Sequence, residues 1–164
     1  METINNSLLA RLGWKMTINA PLLWVDALRA KYLRNGTSFL NVSLNPLASW
    51  LWKGLLKNKS VIQKGACLSI SCGINVDIWK SPWIPLMPNF KPRPNPRLVE
   101  LPRFSVADLM LPGCRSWNSS LLRDLFDSTL VQHILSIHIP TICSFDTWVW
   151  APSSSGHFLG KVCL

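Results

Sequence analysis

The sequence predicts an α+β chain of mostly short helices with two small β-hairpins and a proline-rich strap, in a fold left incomplete at its C-terminal end. Three observations lead there. Apolar residues recur at helical spacing before residue 65 and again between residues 105 and 136. They alternate on either side of Cys72-Gly73 and again near the C-terminus. Seven of the twelve prolines fall between Pro82 and Pro102, where repeated loss of backbone donors excludes a regular helix or a central strand.

In chain order, Ser7 is expected to cap a short helix carrying Leu8, Leu9 and Leu12, and Pro21 to open a second, since a first turn needs no N–H there. In the second helix Leu22, Val25, Leu28 and Tyr32 recur at helical spacing while Asp26, Arg29 and Lys31 face water, and Asn35-Gly36 ends it. A third helix over about 47–64 offers Trp50, Leu51, Leu55 and Val61 for burial, has Lys53, Lys57 and Lys64 on its wet side, and stops at Gly65. Leu68 and Ile70, then Val76 and Ile78, form the arms of a first hairpin turning at Cys72-Gly73. The strap follows, either a linker or an ordered loop crossing the surface, with Lys91, Arg93, Arg97 and Arg103 along it.

Beyond the strap, Ser105 and Asp108 have the spacing of a capping box, and Pro112-Gly113 ends the brief helix they open. Asn118 is placed to cap a helix over 119–126 with Leu121, Leu122 and Leu125 inward. Ser128 or Thr129 starts another, bearing Val131, Ile134 and Leu135. A second hairpin runs from Asp146 through Trp150, turns at 152–156 and returns over 157–159. The chain thus divides into a basic helical segment, 1–65, the hairpin and strap, 66–103, a helical segment, 104–140, and a truncated hairpin, 141–164.

Composition adds a partner class. Apolar residues make up 48% and charged residues only 15%, against roughly a quarter in ordinary soluble domains. With nine tryptophans and one tyrosine, such a surface is expected to be adhesive, since rings this large are seldom fully covered. The net charge of +9 is uneven: residues 1–103 hold 14 basic and 4 acidic residues, residues 104–164 hold 3 and 4. A basic, aromatic surface suits nucleic acid, because cations release condensed counterions and ring faces accept any base. Five cysteines without dense spacing, and no leader-like N-terminus, point to reduced thiols in a nuclear or cytoplasmic compartment. Charges or prolines interrupt every apolar run, so no membrane span is expected.

Candidate chemistry is sparse. Cys67 and Cys72 lack a matching second pair, His133 and His138 fall on different helical faces, and Cys143, His157 and Cys163 are scattered, so no metal site is expected. The close acids are Asp124 and Asp127, which read as the wet flank of a helix rather than a magnesium site. No glycine-rich phosphate loop or nucleophile elbow occurs, and neither cofactor nor catalytic residue is expected.

A series of short motifs carries a resemblance. Leu9-Ala10-Arg11-Leu12-Gly13-Trp14-Lys15, then Leu23-Trp24, Ala30-Lys31-Tyr32-Leu33 and Ser49-Trp50-Leu51-Trp52-Lys53-Gly54-Leu55-Leu56 are followed in order by Lys64-Gly65, Ile78-Trp79, Pro82-Trp83-Ile84-Pro85, Val106-Ala107-Asp108-Leu109, Trp117-Asn118 and the stretch from Trp148 to Phe158. This series resembles plant LINE-type (non-LTR) retrotransposon polyproteins, over most of 8–158. The resemblance implies a stretch between the reverse-transcriptase polymerase domain and a zinc-binding segment, sometimes with ribonuclease H beyond. The polymerase aspartates would lie before Met1 and the zinc ligands after Leu164. Leu68 and Ser71-Cys72-Gly73 stand where the family has a tryptophan and a Gly-x-Gly turn, and Lys80-Ser81 stands where an acid precedes Pro-Trp. The ending from Leu159 to Leu164 also departs from the pattern. These departures imply a truncated, drifting copy.

The functional expectation is therefore a non-catalytic connector of a retrotransposon reverse-transcriptase polyprotein that assists RNA or DNA binding. Lys53, Lys57, Lys59 and Lys64, with Lys91, Arg93 and Arg97 of the strap, are the phosphate candidates, and Trp50, Trp52, Trp79 and Trp83 the base-stacking candidates. The alternatives are a module that packs its tryptophans on the polymerase or zinc-binding domains, and a decayed relic without function.

Overall fold

The computed structural model describes residues 2–33, 37–96, 98 and 100–158. The expected helix stop at Asn35-Gly36, Arg97 of the strap, and the ending from Leu159 through Cys163 to Leu164 lie outside the described residues. The architecture is α+β and mostly helical, with one small antiparallel sheet among the described residues. The elements are α1 (Glu2–Thr17), α2 (Leu23–Tyr32), α3 (Trp50–Lys57), α4 (Lys59–Gln63), β1 (Ala66–Ser69), α5 (Ser119–Leu125), α6 (Ser128–Leu135) and β2 (Thr147–Trp150), with short 3₁₀ turns between. Among the described residues no helix is long and apolar enough to cross a membrane.

The chain separates into two compact units, one from Met1–Ala66 with Trp150–Leu164, the other Cys67–Val149. The four expected segments thus become two, because 66–103 and 104–140 contribute to one hydrophobic core.

In the first unit α1 starts at Glu2, so Ser7 lies inside the helix instead of capping it. Leu9, Ala10, Trp14 and Met16 form its buried stripe, and the Thr17 hydroxyl donates to the Gly13 carbonyl at 3.0 Å in its last turn. Pro21 stands one residue before the N-cap, Leu22, of α2. The single helix expected over 47–64 is broken at Asn58, whose φ/ψ of −91°/2° leaves the helical region. The Asn58 side-chain amide donates to the Gly54 carbonyl at 3.1 Å, and such local side-chain bonds compete with a continuing helix.

Gly65 does more than stop α4. Glycines in the left-handed region include Gly73, Gly113 and Gly156 but not Gly65. Its requirement is space: a Cβ there would meet the ring of Trp150, which sits edge-on to Trp14 at 5.6 Å and to Phe158 at 4.6 Å, while the Ala151 N–H donates to the Gly65 carbonyl at 2.8 Å. Gly65→Ala is expected to destabilise this unit by about 1–3 kcal/mol through overpacking. The urea midpoint reads this directly; a midpoint equal to wild type would mean that the indole is not seated there.

The second unit is built on Ile78, Trp83, Ile84, Val106, Leu109, Leu122 and Ile134, all fully buried. Local signals serve well here. The Asp108 carboxylate accepts from the Ser105 N–H at 2.7 Å in the expected capping box, and Asn118 caps α5 by accepting from the Leu121 N–H at 3.2 Å. Asp127, not Ser128 or Thr129, caps α6, accepting from the Leu130 N–H at 2.9 Å. The strap is an ordered surface-crossing loop: Trp83 and Ile84 plunge into the core, and the Asn95 N–H donates to the Leu125 carbonyl at 3.0 Å.

The two expected hairpins are where the structure differs most. The first arm of the first hairpin becomes β1, which pairs with β2. Its second arm bridges instead to the 104–106 segment, through Asp77 and Ser105, with the Val106 N–H donating to the Val76 carbonyl at 2.8 Å. The turn of the second hairpin does form, the Trp150 N–H donating to the Gly156 carbonyl at 2.7 Å, but His157 and Phe158 are not strand residues. Leu159 lies outside the described residues.

Candidate functional site

In the first unit Ser49 opens α3, its hydroxyl accepting from the Trp52 N–H at 3.4 Å. Positions 50, 53 and 57 then share one helical face. That face is wet: Trp50 is 77% exposed, and Lys53 and Lys57 are exposed beside it. The opposite face holds the helix in place. Trp52 is 1% exposed, stacked on Tyr32 with centroids 4.5 Å apart and edge-on to Phe39 at 5.7 Å. Trp52 is therefore a core indole, and at 1% exposure it has no open face to offer a base.

The remaining lysines of the segment divide. Lys59 is half-buried, and its ammonium donates to the Val42 carbonyl at 2.8 Å, so it ties down the preceding loop and is a poor phosphate ligand. Lys64 is exposed at the end of α4. The ion pair found among the described residues is Lys80 with Asp77, which leaves the charges of Lys53, Lys57 and Lys64 uncompensated by salt bridges there.

The candidates of the second unit are mostly structural. Trp83 is fully buried and its indole N–H donates to the Ile78 carbonyl at 3.0 Å. Trp79 is half-buried against Phe126, centroids 5.4 Å apart, and donates to the Pro102 carbonyl at 2.9 Å. Trp83 thus has no open ring face for a base, and the indole N–H of Trp79 is already engaged. On the strap Lys91 is half-buried and Arg93 exposed, while Arg97 lies outside the described residues. Of the four indoles singled out from sequence, Trp50 alone retains the exposure that stacking requires.

The polar residues that the structure brings together were not those expected to carry chemistry. The Asp146 carboxylate accepts from the Ser71 N–H at 2.7 Å and the Gly73 N–H at 2.9 Å, Arg115 donates to the Ser71 carbonyl at 2.7 Å and the Pro140 carbonyl at 2.8 Å, and the Ser144 N–H donates to the Ser71 hydroxyl at 2.9 Å. Cys72 and Cys143 are joined by a disulfide, Cα atoms 5.3 Å apart. The expectation of reduced thiols fails at this pair, which spacing in sequence could not reveal because 71 positions separate the two. The cluster is a clamp on the 71–73 turn, with its polar atoms already engaged. The only sequence sign of it was the Ser71-Cys72-Gly73 turn itself.

Nothing else gathers into a reactive centre among the described residues. No group of three His, Cys, Asp or Glu side chains converges there. Cys67 is buried, and burial pushes its thiol up to about 12, far from the range in which a thiolate forms. Asp127 is committed to capping α6. No family model, curated protein or solved structure matches the chain.

Proposed function

We propose that the first unit is a non-catalytic nucleic-acid contact, reading no sequence, in which Trp50 stacks on an unpaired base and Lys53 and Lys57 hold the flanking phosphates. One observation carries this reading: an indole 77% exposed on the same face of α3 as two exposed lysines that lack salt-bridge partners among the described residues. An exposed tryptophan offers a broad apolar face at low entropic cost, and base stacking on such a ring contributes about 1–3 kcal/mol. The ammonium groups supply the counterion-release term. In the polyprotein setting that the resemblance implies, the contact would hold template RNA or target DNA beside a polymerase supplied by a neighbouring domain.

The test is fluorescence anisotropy with a labelled single-stranded RNA over a salt series. Removing both lysines, Lys53→Ala with Lys57→Ala, is expected to flatten the salt slope by about 1.4, at roughly 0.7 per phosphate on a single strand. Trp50→Ala is expected to weaken binding about 5- to 150-fold without changing that slope. Salt-independent binding, or affinities unchanged by these substitutions, would remove the proposal.

A further inference from the structure

A second feature of the first unit lies on different faces of the same helices. Leu12 of α1, Trp24, Ala27 and Leu28 of α2, and Leu51 and Leu55 of α3 line an open groove of about 370 Å³. Every lining residue is apolar, so the groove has neither the polar groups that fix a small polar ligand nor the donors that read a base. The apolar surface runs on past the groove: Leu8, one turn before Leu12, is 55% exposed, and Leu23, one turn before Ala27, is 87% exposed. On α3, Leu51 and Leu55 are turned by about 100–160° from Trp50, Lys53 and Lys57, so occupying the groove leaves the proposed nucleic-acid face open.

Charge selects the occupant. Lys15 follows Leu12 by three positions and Lys31 follows Leu28 by three, which puts each on the lining face of its helix, and both are exposed. Residues 1–66 hold nine Lys and Arg against the two acids Glu2 and Asp26. A second copy would bring this basic rim against its own like, whereas an acidic partner would be drawn to it. An all-apolar trough between helices takes leucine-type side chains spaced one turn apart on a partner helix.

We infer that the α1–α2–α3 groove is a docking site for an amphipathic helix of another protein segment, with leucines facing Leu12, Leu28 and Leu51 and glutamates or aspartates meeting Lys15 and Lys31. The inference is independent of the RNA reading. The probe is a fluorescein-labelled peptide of about 15 residues, long enough for a helical face, with leucines at i, i+3, i+4 and i+7 and glutamates elsewhere, titrated with the full chain.

Binding is expected, weakened roughly tenfold or more by Ala27→Glu, which places a like charge at the groove mouth. Ala27 is exposed, so circular dichroism and RNA affinity should be unaltered. Leu23→Glu, at a site 87% exposed, gives a second variant with the same expected loss. A peptide carrying lysines in place of glutamates should bind about tenfold more weakly than the acidic one. The proposal is overturned if the acidic peptide does not bind, if both variants bind it as wild type does, or if the lysine peptide binds equally well. Light scattering that shows a dimer dissolved by Ala27→Glu would also overturn it, since a second copy would then fill the groove.

Discussion

Trp83→Ala is expected to destabilise the second unit by about 3–5 kcal/mol, the range for deleting a fully buried large ring. The cause is twofold. The substitution opens a void in the core that Trp83 shares with Ile78, Val106 and Leu122, all fully buried. It also strips the Ile78 carbonyl of the donor that lies 3.0 Å away, and a buried acceptor without a partner adds its own penalty. Urea unfolding followed by circular dichroism measures the loss. The control is Trp50→Ala: at 77% exposure it is expected to shift stability by only about 0.5 kcal/mol. The pair thus separates two tryptophans that sequence treats alike. If Trp83→Ala left the midpoint in place and weakened RNA binding instead, the assignment of the two indoles would be reversed.

Cys72→Ser or Cys143→Ser is expected to cost about 2–4 kcal/mol under non-reducing conditions and almost nothing once a reductant is present. The bond closes a loop of 71 residues' separation, and cross-linking positions so far apart restricts the unfolded chain strongly. The folded turn should survive the substitution, because Asp146 still accepts from the Ser71 and Gly73 N–H groups and Arg115 still holds the Ser71 carbonyl. The diagnostic result is therefore a midpoint that falls with reductant in the wild type and is insensitive to it in either variant. A wild-type midpoint unmoved by reductant would mean that the thiols are not joined.

Helices and their caps were legible because the interactions that define them close within one turn. Asn118 and Ser105 with Asp108 are examples: donor and acceptor lie three positions apart, so their pattern in sequence is their pattern in space. Reading failed where two local solutions competed. Asp127 and Ser128 are both good caps, and only the observed bond to the Leu130 N–H distinguishes them. Asn58 broke a helix whose apolar spacing continued through it, because its amide took the Gly54 carbonyl.

The candidate site was half legible. Lys53 and Lys57 share an i, i+4 relation that puts both on the wet side. Hydrophobicity assigns Trp50 to the buried side although it stands three before Lys53 on that same face, and the structure leaves it 77% exposed. That Trp50 faces water while Trp52 sits between Tyr32 and Phe39 does not follow, since two indoles of equal hydrophobicity two positions apart offer no local reason to prefer either. Asp146 and Arg115 were invisible as a pair of clamps because their partners are backbone groups, which every residue has.

By itself the sequence determined a mostly helical α+β chain, its principal helices, the absence of helix and central strand from the proline strap and the gathering of positive charge in the chain's first part. Only tertiary structure decided which strands pair, which indoles are covered and which thiols meet. The physical reason lies in range. Alternation marks a segment as half-buried β-structure, but its N–H and C=O groups are the same at every position and accept any partner in register. The choice between the 76–78 arm and β2 fell to contacts across more than 70 positions, at Cys72 with Cys143 and at Asp146 with the Ser71-Cys72-Gly73 turn.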